Sequence, residues 1–163
     1  PGPKHGLRNV TTARWTGNIW EITSLLVTSN NYDTGCLHVE DGRYWRLIAP
    51  TLIDRDLPPR EPQPYNPGGE MIMWTSDNMG RTWTPQPLTR NSPYNHTYAR
   101  RPVDAHPDFY AYWADGHGRE PSPSRLYFAN RDGEVFRLPE RMTGDFARPQ
   151  RVPLPPDTEP AQP

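Results

Sequence analysis

Cys36 is the only cysteine in the 163-residue chain. No internal disulfide can form, and cysteine usage does not identify a redox compartment. Apolar residues are also scarce, at 33%, and no apolar run approaches the roughly 20 residues that a membrane-spanning helix needs. An excess of either charge is missing. The formal net charge of -1 gives no electrostatic case for nucleic acid or a membrane surface, so neither is expected as a partner. Long helix-favouring runs are absent, and the 22 prolines argue against a helical bundle. No secretory leader is present, and the chain opens Pro-Gly-Pro rather than with Met. It is read as a piece of a longer protein, so the missing leader does not argue against secretion.

What the chain does have is aromatic residues, with 4 Phe, 6 Trp and 8 Tyr at strand-like spacings, and these offset the low apolar content. Residues 1–17 are polar and read as irregular. Ile19 to Thr28 mixes alternation with β-branched residues and reads as one strand. A pattern then occurs twice. The first copy has Cys36–Glu40, an Asp41-Gly42 turn, Tyr44–Pro50, a long Pro-rich loop, Glu70–Thr75, a turn and Trp83–Thr89. The second has His96–Val103, a turn at His106-Pro107-Asp108, Phe109–Asp115, a polar loop, Arg125–Asn130, an Arg-Asp-Gly turn and Glu134–Leu138. Residues 141–163 read as a Pro-rich, disordered tail.

Two successive units of four antiparallel strands, at 35–89 and 96–139, fit the blade repeat of a β-propeller, and the strand at 19–28 fits the outer strand of a preceding blade. The expected fold is therefore all-β, a partial propeller over residues 18–140. A β-sandwich is the alternative for eight or nine short strands. Two blades cannot close a ring, so the expected partner is a set of remaining blades in the same parent chain.

The segment from Ser76 to Trp83 sharpens this expectation. Ser76, Asn78, Gly80, Thr82 and Trp83 form S-x-N-x-G-x-T-W, which resembles the Asp-box turn of sialidase-type (BNR) propellers, with Asn78 at the usual Asp position. Either side chain can accept hydrogen bonds from turn amides. Further segments, among them S-N-N-Y-D-T-G (29–35), W-R-L-I-A-P-T (45–51), G-G-E-M-I-M-W-T-S (68–76) and most of 94–139, look like the C-terminal part of BNR-repeat proteins. That family is similar to propeller polysaccharide lyases, including enzymes acting on ulvan and related uronic-acid polymers. The resemblance implies a secreted or periplasmic, carbohydrate-active protein with a polysaccharide substrate and no required cofactor.

Eliminative cleavage of a uronate polymer needs a group that neutralises the carboxylate, a base for the adjacent proton and an acid for the departing oxygen. His96, Tyr98, Arg100 and Arg101 supply these types within six residues. By strand alternation, His96, Tyr98 and Arg100 share one face. The expected roles are His96 as base, Tyr98 as acid or base, and Arg100 or Arg101 as carboxylate clamp. The same residues also fit a polar inner strand that only holds blades together. Cys36 and His38, as C-x-H, share a face and suit a structural zinc, or a buried thiol beside a hydrogen-bonded histidine. Tyr32, His38, Trp113 and His117 are candidate substrate contacts. A sialidase-like hydrolase and a non-catalytic glycan-binding propeller remain the alternatives.

Overall fold

The computed structural model describes residues 8–28, 30, 33, 35–51, 68–116 and 121–156. All regular structure among them is β, and every strand pairing is antiparallel. The strands fall into a two-stranded, a four-stranded and a five-stranded sheet, and in the two larger sheets each strand pairs with its sequence neighbours.

β1 (Arg8–Trp15) and β2 (Trp20–Thr28) form the first hairpin. The Thr16 amide donates to the Ile19 carbonyl at 3.0 Å, and the Thr16 hydroxyl accepts from the Asn18 and Ile19 amides. This corrects the expectation that 1–17 is irregular, since 8–15 is a strand. β1 has polar residues on both faces, so it shows no apolar alternation, and it is held by its pairing with β2.

The second sheet follows the first sequence copy: β3 (Cys36–Glu40), β4 (Tyr44–Thr51), β5 (Glu70–Ser76) and β6 (Thr84–Pro87). Asp41 (φ 47°) and Gly42 (φ 69°) are both left-handed and, with Arg43, form the three-residue connection between the paired Glu40 and Tyr44. The β5–β6 turn is built around two side chains. Ser76 Oγ accepts from the Gly80 amide at 2.9 Å, and Asn78 Oδ1 accepts from the Thr82 amide at 2.9 Å. Trp83 caps the turn by donating its indole N–H to the Gly80 carbonyl at 3.0 Å. Pro85 and Pro87 sit on β6, which is an edge strand and tolerates missing amides.

The third sheet runs β7 (His96–Arg100), β8 (Ala111–Asp115), β9 (Leu126–Ala129), β10 (Val135–Arg137) and β11 (Gln150–Val152). Its β9–β10 turn repeats the side-chain device, with Asn130 Oδ1 accepting from the amides of Asp132 and Glu134 at 3.1 and 2.8 Å. β11 corrects the expectation of a wholly disordered tail. Residues 150–152 pair with β10, and Arg90 Nη1 donates to the Pro155 carbonyl at 2.8 Å. Residues 157–163 lie outside the described residues.

The two larger sheets share one core. Ile48, Met71, Met73 and Leu88 from one side meet Ala99, Tyr110, Ala111, Trp113, Tyr127, Ala129 and Val135 from the other. Burial of a large apolar side chain contributes about 1.5–3 kcal/mol. The sheets are also joined through the backbone, because Gly69 and His96 exchange two hydrogen bonds, at 3.1 and 2.8 Å. That close approach explains Gly68, where an added Cβ would lie 2.4 Å from the His96 carbonyl oxygen.

Gly68→Ala is therefore expected to cost about 3 kcal/mol or more in chemical denaturation. Gly42→Ala, at a left-handed turn with nothing within 4 Å of the new Cβ, is expected to cost only about 1–2 kcal/mol. Equal losses would contradict the inter-sheet joint.

Candidate functional site

The candidate catalytic residues sit on β7, and β7 is not a regular strand. Its register with β8 shifts between Thr97 and Arg100, and Tyr98 is left-handed at φ 55°. A bulge of this kind re-aims side chains. His96 is buried at 2% exposure, whereas Tyr98 is 43% exposed. The expectation that His96, Tyr98 and Arg100 share one face is thereby corrected. Tyr98 and Arg100 stay together, with the Arg100 guanidinium carbon 5.3 Å from the Tyr98 ring centroid. Arg101 follows, exposed. His96 is separated from them.

His96 lies in a closed chain of hydrogen bonds. The Trp113 indole, which can only donate, gives its proton to His96 Nδ1 at 2.9 Å. The neutral ring then carries its proton on Nε2 and donates to Ser92 Oγ at 3.0 Å. Ser92 Oγ donates to Glu70 at 2.8 Å, and the same carboxylate oxygen accepts from the Thr89 hydroxyl at 2.7 Å. Its other oxygen accepts from the Ser92 amide at 2.8 Å. The acceptor lone pair that a general base needs is thus occupied by an indole. Trp113 is 1% exposed and its ring packs parallel to Tyr127 at 6.1 Å, so it offers no open face to a sugar.

The bulge is fixed by Asp33. This carboxylate is 2% exposed and accepts the Tyr98 amide. Burial pushes its carboxyl up from the ordinary value, against the Tyr98 amide and the charge of Arg100. Cys36 and His38 lie on the same buried face of β3; the charge of Arg101 reaches both, and that of Arg100 reaches Cys36. Burial pushes the Cys36 thiol up to about 12 despite those arginines, so it is a neutral thiol at neutral pH. His38 stacks on Tyr110 with ring centroids 3.7 Å apart, and its Nε2 is buried with no hydrogen-bond partner among the described residues. Burial, with the charges of Arg101 and Arg46, pushes it down to about 4, opposed by Glu40. Among the described residues no group of three His, Cys, Asp or Glu side chains could hold a metal ion. Cys36 and His38 therefore have no third described donor for zinc.

Beside His38 a second polar group spans the two sheets. Glu40 accepts from Tyr110 Oη at 2.5 Å and from Arg131 at 3.0 Å, and it pairs with Arg46. Burial pushes Glu40 up, but these partners together hold it below the usual carboxylate value. Asp33 as the clamp on Tyr98, and Glu70 and Glu40 as partners across loops and sheets, leave no local pattern to read, because each pairing is long-range. Tyr32 and His117 lie outside the described residues.

Comparison of the chain with protein-family models, with curated proteins and with solved structures finds no match.

Between His38's folded value of about 4 and its ordinary 6.5, the unfolded chain binds more protons than the folded one. Stability is expected to fall as pH drops through that window, by at most about 3 kcal/mol from this group. Glu40 adds a loss at lower pH, and Asp33, raised on folding, opposes both. His38→Phe keeps the ring on Tyr110 and removes the titration. Denaturation midpoints between pH 7 and 4.5 should show a shallower slope in this variant than in the wild type, and an unchanged slope would contradict the assignment.

Proposed function

We propose that the chain is part of a carbohydrate-active β-propeller that acts outside the cytoplasm and cleaves uronic-acid polysaccharide by β-elimination. The observation that carries this proposal is the exposed Tyr98, turned out by a bulge, with Arg100 against its ring and the exposed Arg101 next in sequence. The propeller architecture draws support from two successive antiparallel meanders stacked on one core, each with a side-chain-capped outer hairpin. It also draws on the Asp-box-like S-x-N-x-G-x-T-W sequence.

In the proposed reaction, Arg100 and Arg101 pair with the uronate carboxylate and lower the cost of placing negative charge on C5. With His96 engaged by Trp113, Tyr98 takes both proton-transfer roles. Its phenolate removes the C5 proton, the electron pair forms the C4=C5 double bond, and the C4–O bond breaks. The resulting phenol returns that proton to the departing glycosidic oxygen. No metal or redox partner enters this balance.

The enclosure of His96 favours one other proposal, a glycan-binding propeller without catalysis, in which Tyr98 and the arginines only hold the polymer.

Incubation of the protein with a panel of uronic-acid polysaccharides, followed by ultraviolet absorbance of a 4,5-unsaturated uronate, tests the proposal. A rise is expected. Tyr98→Phe should reduce the rate by about 100-fold or more, and Arg100→Ala by a comparable factor. Absorbance that rises equally in Tyr98→Phe would overturn the role of Tyr98. Saturated reducing ends would mean hydrolysis, and binding without any product would leave the non-catalytic propeller.

A further inference from the structure

The β1–β2 hairpin and the third sheet each turn an apolar face away from the second sheet. The hairpin is held to the second sheet by Arg14 and Glu21, cross-strand partners on one of its faces. Arg14 Nη1 donates to Met79 Sδ at 3.2 Å, and Arg81 Nη2 donates to Glu21 Oε1 at 3.0 Å. Alternation places the pairs Ala13–Ile22 and Trp15–Trp20 on the opposite face. Trp15, Trp20, Ile22 and Val27 are each more than half exposed, and together they expose on the order of 500 Å². The exposed positions between them, Asn9, Thr11, Ala13 and Ser24, carry no charge. They bring the face to roughly the 800 Å² that a standard interface buries per partner.

On the third sheet, direct cross-strand partners form one row, Arg100, Tyr112, Phe128, Phe136 and Arg151. Direct partners project from the same face, and this face is the one turned away from the shared core, which takes Ala111, Trp113 and Tyr127. Phe128 and Phe136 stack within 16° of parallel at 5.1 Å, close to the spacing of adjacent strands. Phe109 widens the row, 5.1 Å from Phe128 and 6.0 Å from Tyr112. Rings that stand on a sheet and stack across its strands turn their edges outward. They keep their faces for one another, whereas a sugar or a base stacks on an open ring face. Such a row suits interdigitation with the side chains of another sheet.

Charge selects which sheet. Arg151 is neutralised by Glu134 at 2.6 Å, and Arg100 ends the row on the other side. Two rows packed together would oppose their arginines. Two hairpins packed together would leave both rows bare. A hairpin on a row covers both apolar faces and meets no like charge.

We propose that copies of this chain associate head to tail, the hairpin face of one seated on the aromatic row of the next. The contact is heterologous, with a different patch on each side. It goes beyond the proposed elimination and does not depend on it.

Sedimentation equilibrium of the 163-residue chain, wild type and variants, tests the contact. The wild type is expected to associate at micromolar concentration. Ile22→Asp on the hairpin face and Phe128→Asp in the row should each weaken association by about 30-fold or more. An equimolar mixture of these two variants should form a one-to-one heterodimer, because the intact row of the first still takes the intact hairpin of the second. Leu126→Asp, on an exposed side chain of the same face as the row, repeats the row test without removing a stacked ring. A monomeric wild type would overturn the proposal and leave both faces to other sheets of the parent chain. Association as strong as wild type in Phe128→Asp and Leu126→Asp would overturn it in favour of hairpin on hairpin. Failure of the mixture to pair, with both variants melting like the wild type, would overturn it as well.

Discussion

The paired backbone bonds between Gly69 and His96 place the start of β7 against the start of β5, and the side chain of His96 continues the same connection inward. From one ring nitrogen it reaches Trp113 on β8, and from the other Ser92 and then Glu70 on β5. A single buried imidazole thereby ties two sheets and the loop between them. Each donor in the chain has an acceptor, which matters because an unsatisfied polar group at this depth costs about 1–3 kcal/mol. Gly68 is small because that contact leaves no room for a side chain.

The bulge in β7 depends on this anchor and on Asp33. With His96 fixed at the start of the strand and Ala99 buried in the core, Tyr98, one of the two residues between them, carries the irregularity. A left-handed tyrosine is strained by about 1–2 kcal/mol, and the buried Asp33 carboxylate compensates by accepting its amide. The consequence is a division of labour along six residues. The start of β7 is structural, and its end, with Arg101 just after it, presents a phenol and two guanidinium groups to solvent. Strain held by surrounding structure at an exposed reactive group is a common feature of functional sites.

Much of the β-structure was legible from local pattern. The Asp41-Gly42 turn, the alternation in Cys36–Glu40 and Ala111–Asp115 and the apolar run at Met71–Trp74 each specify a strand or hairpin with its own neighbours. β1 and β11 were not legible, since a polar strand and a three-residue edge strand in a Pro-rich segment acquire their structure from partners. The candidate site was readable as residue types and not as geometry. Strict alternation placed His96 with Tyr98, and only the distant Asp33 makes the bulge that parts them. Likewise Trp113 reads as an aromatic contact for sugar until its indole proton is found on His96.

The tautomer of His96 tests this account most directly. Long-range nitrogen–proton correlation in the labelled protein distinguishes a ring protonated at Nε2 from one protonated at Nδ1. The structure requires protonation at Nε2, with a slowly exchanging Trp113 indole proton bonded to Nδ1. A ring protonated at Nδ1 with its Nε2 lone pair open would contradict the account and return His96 to the position of a general base.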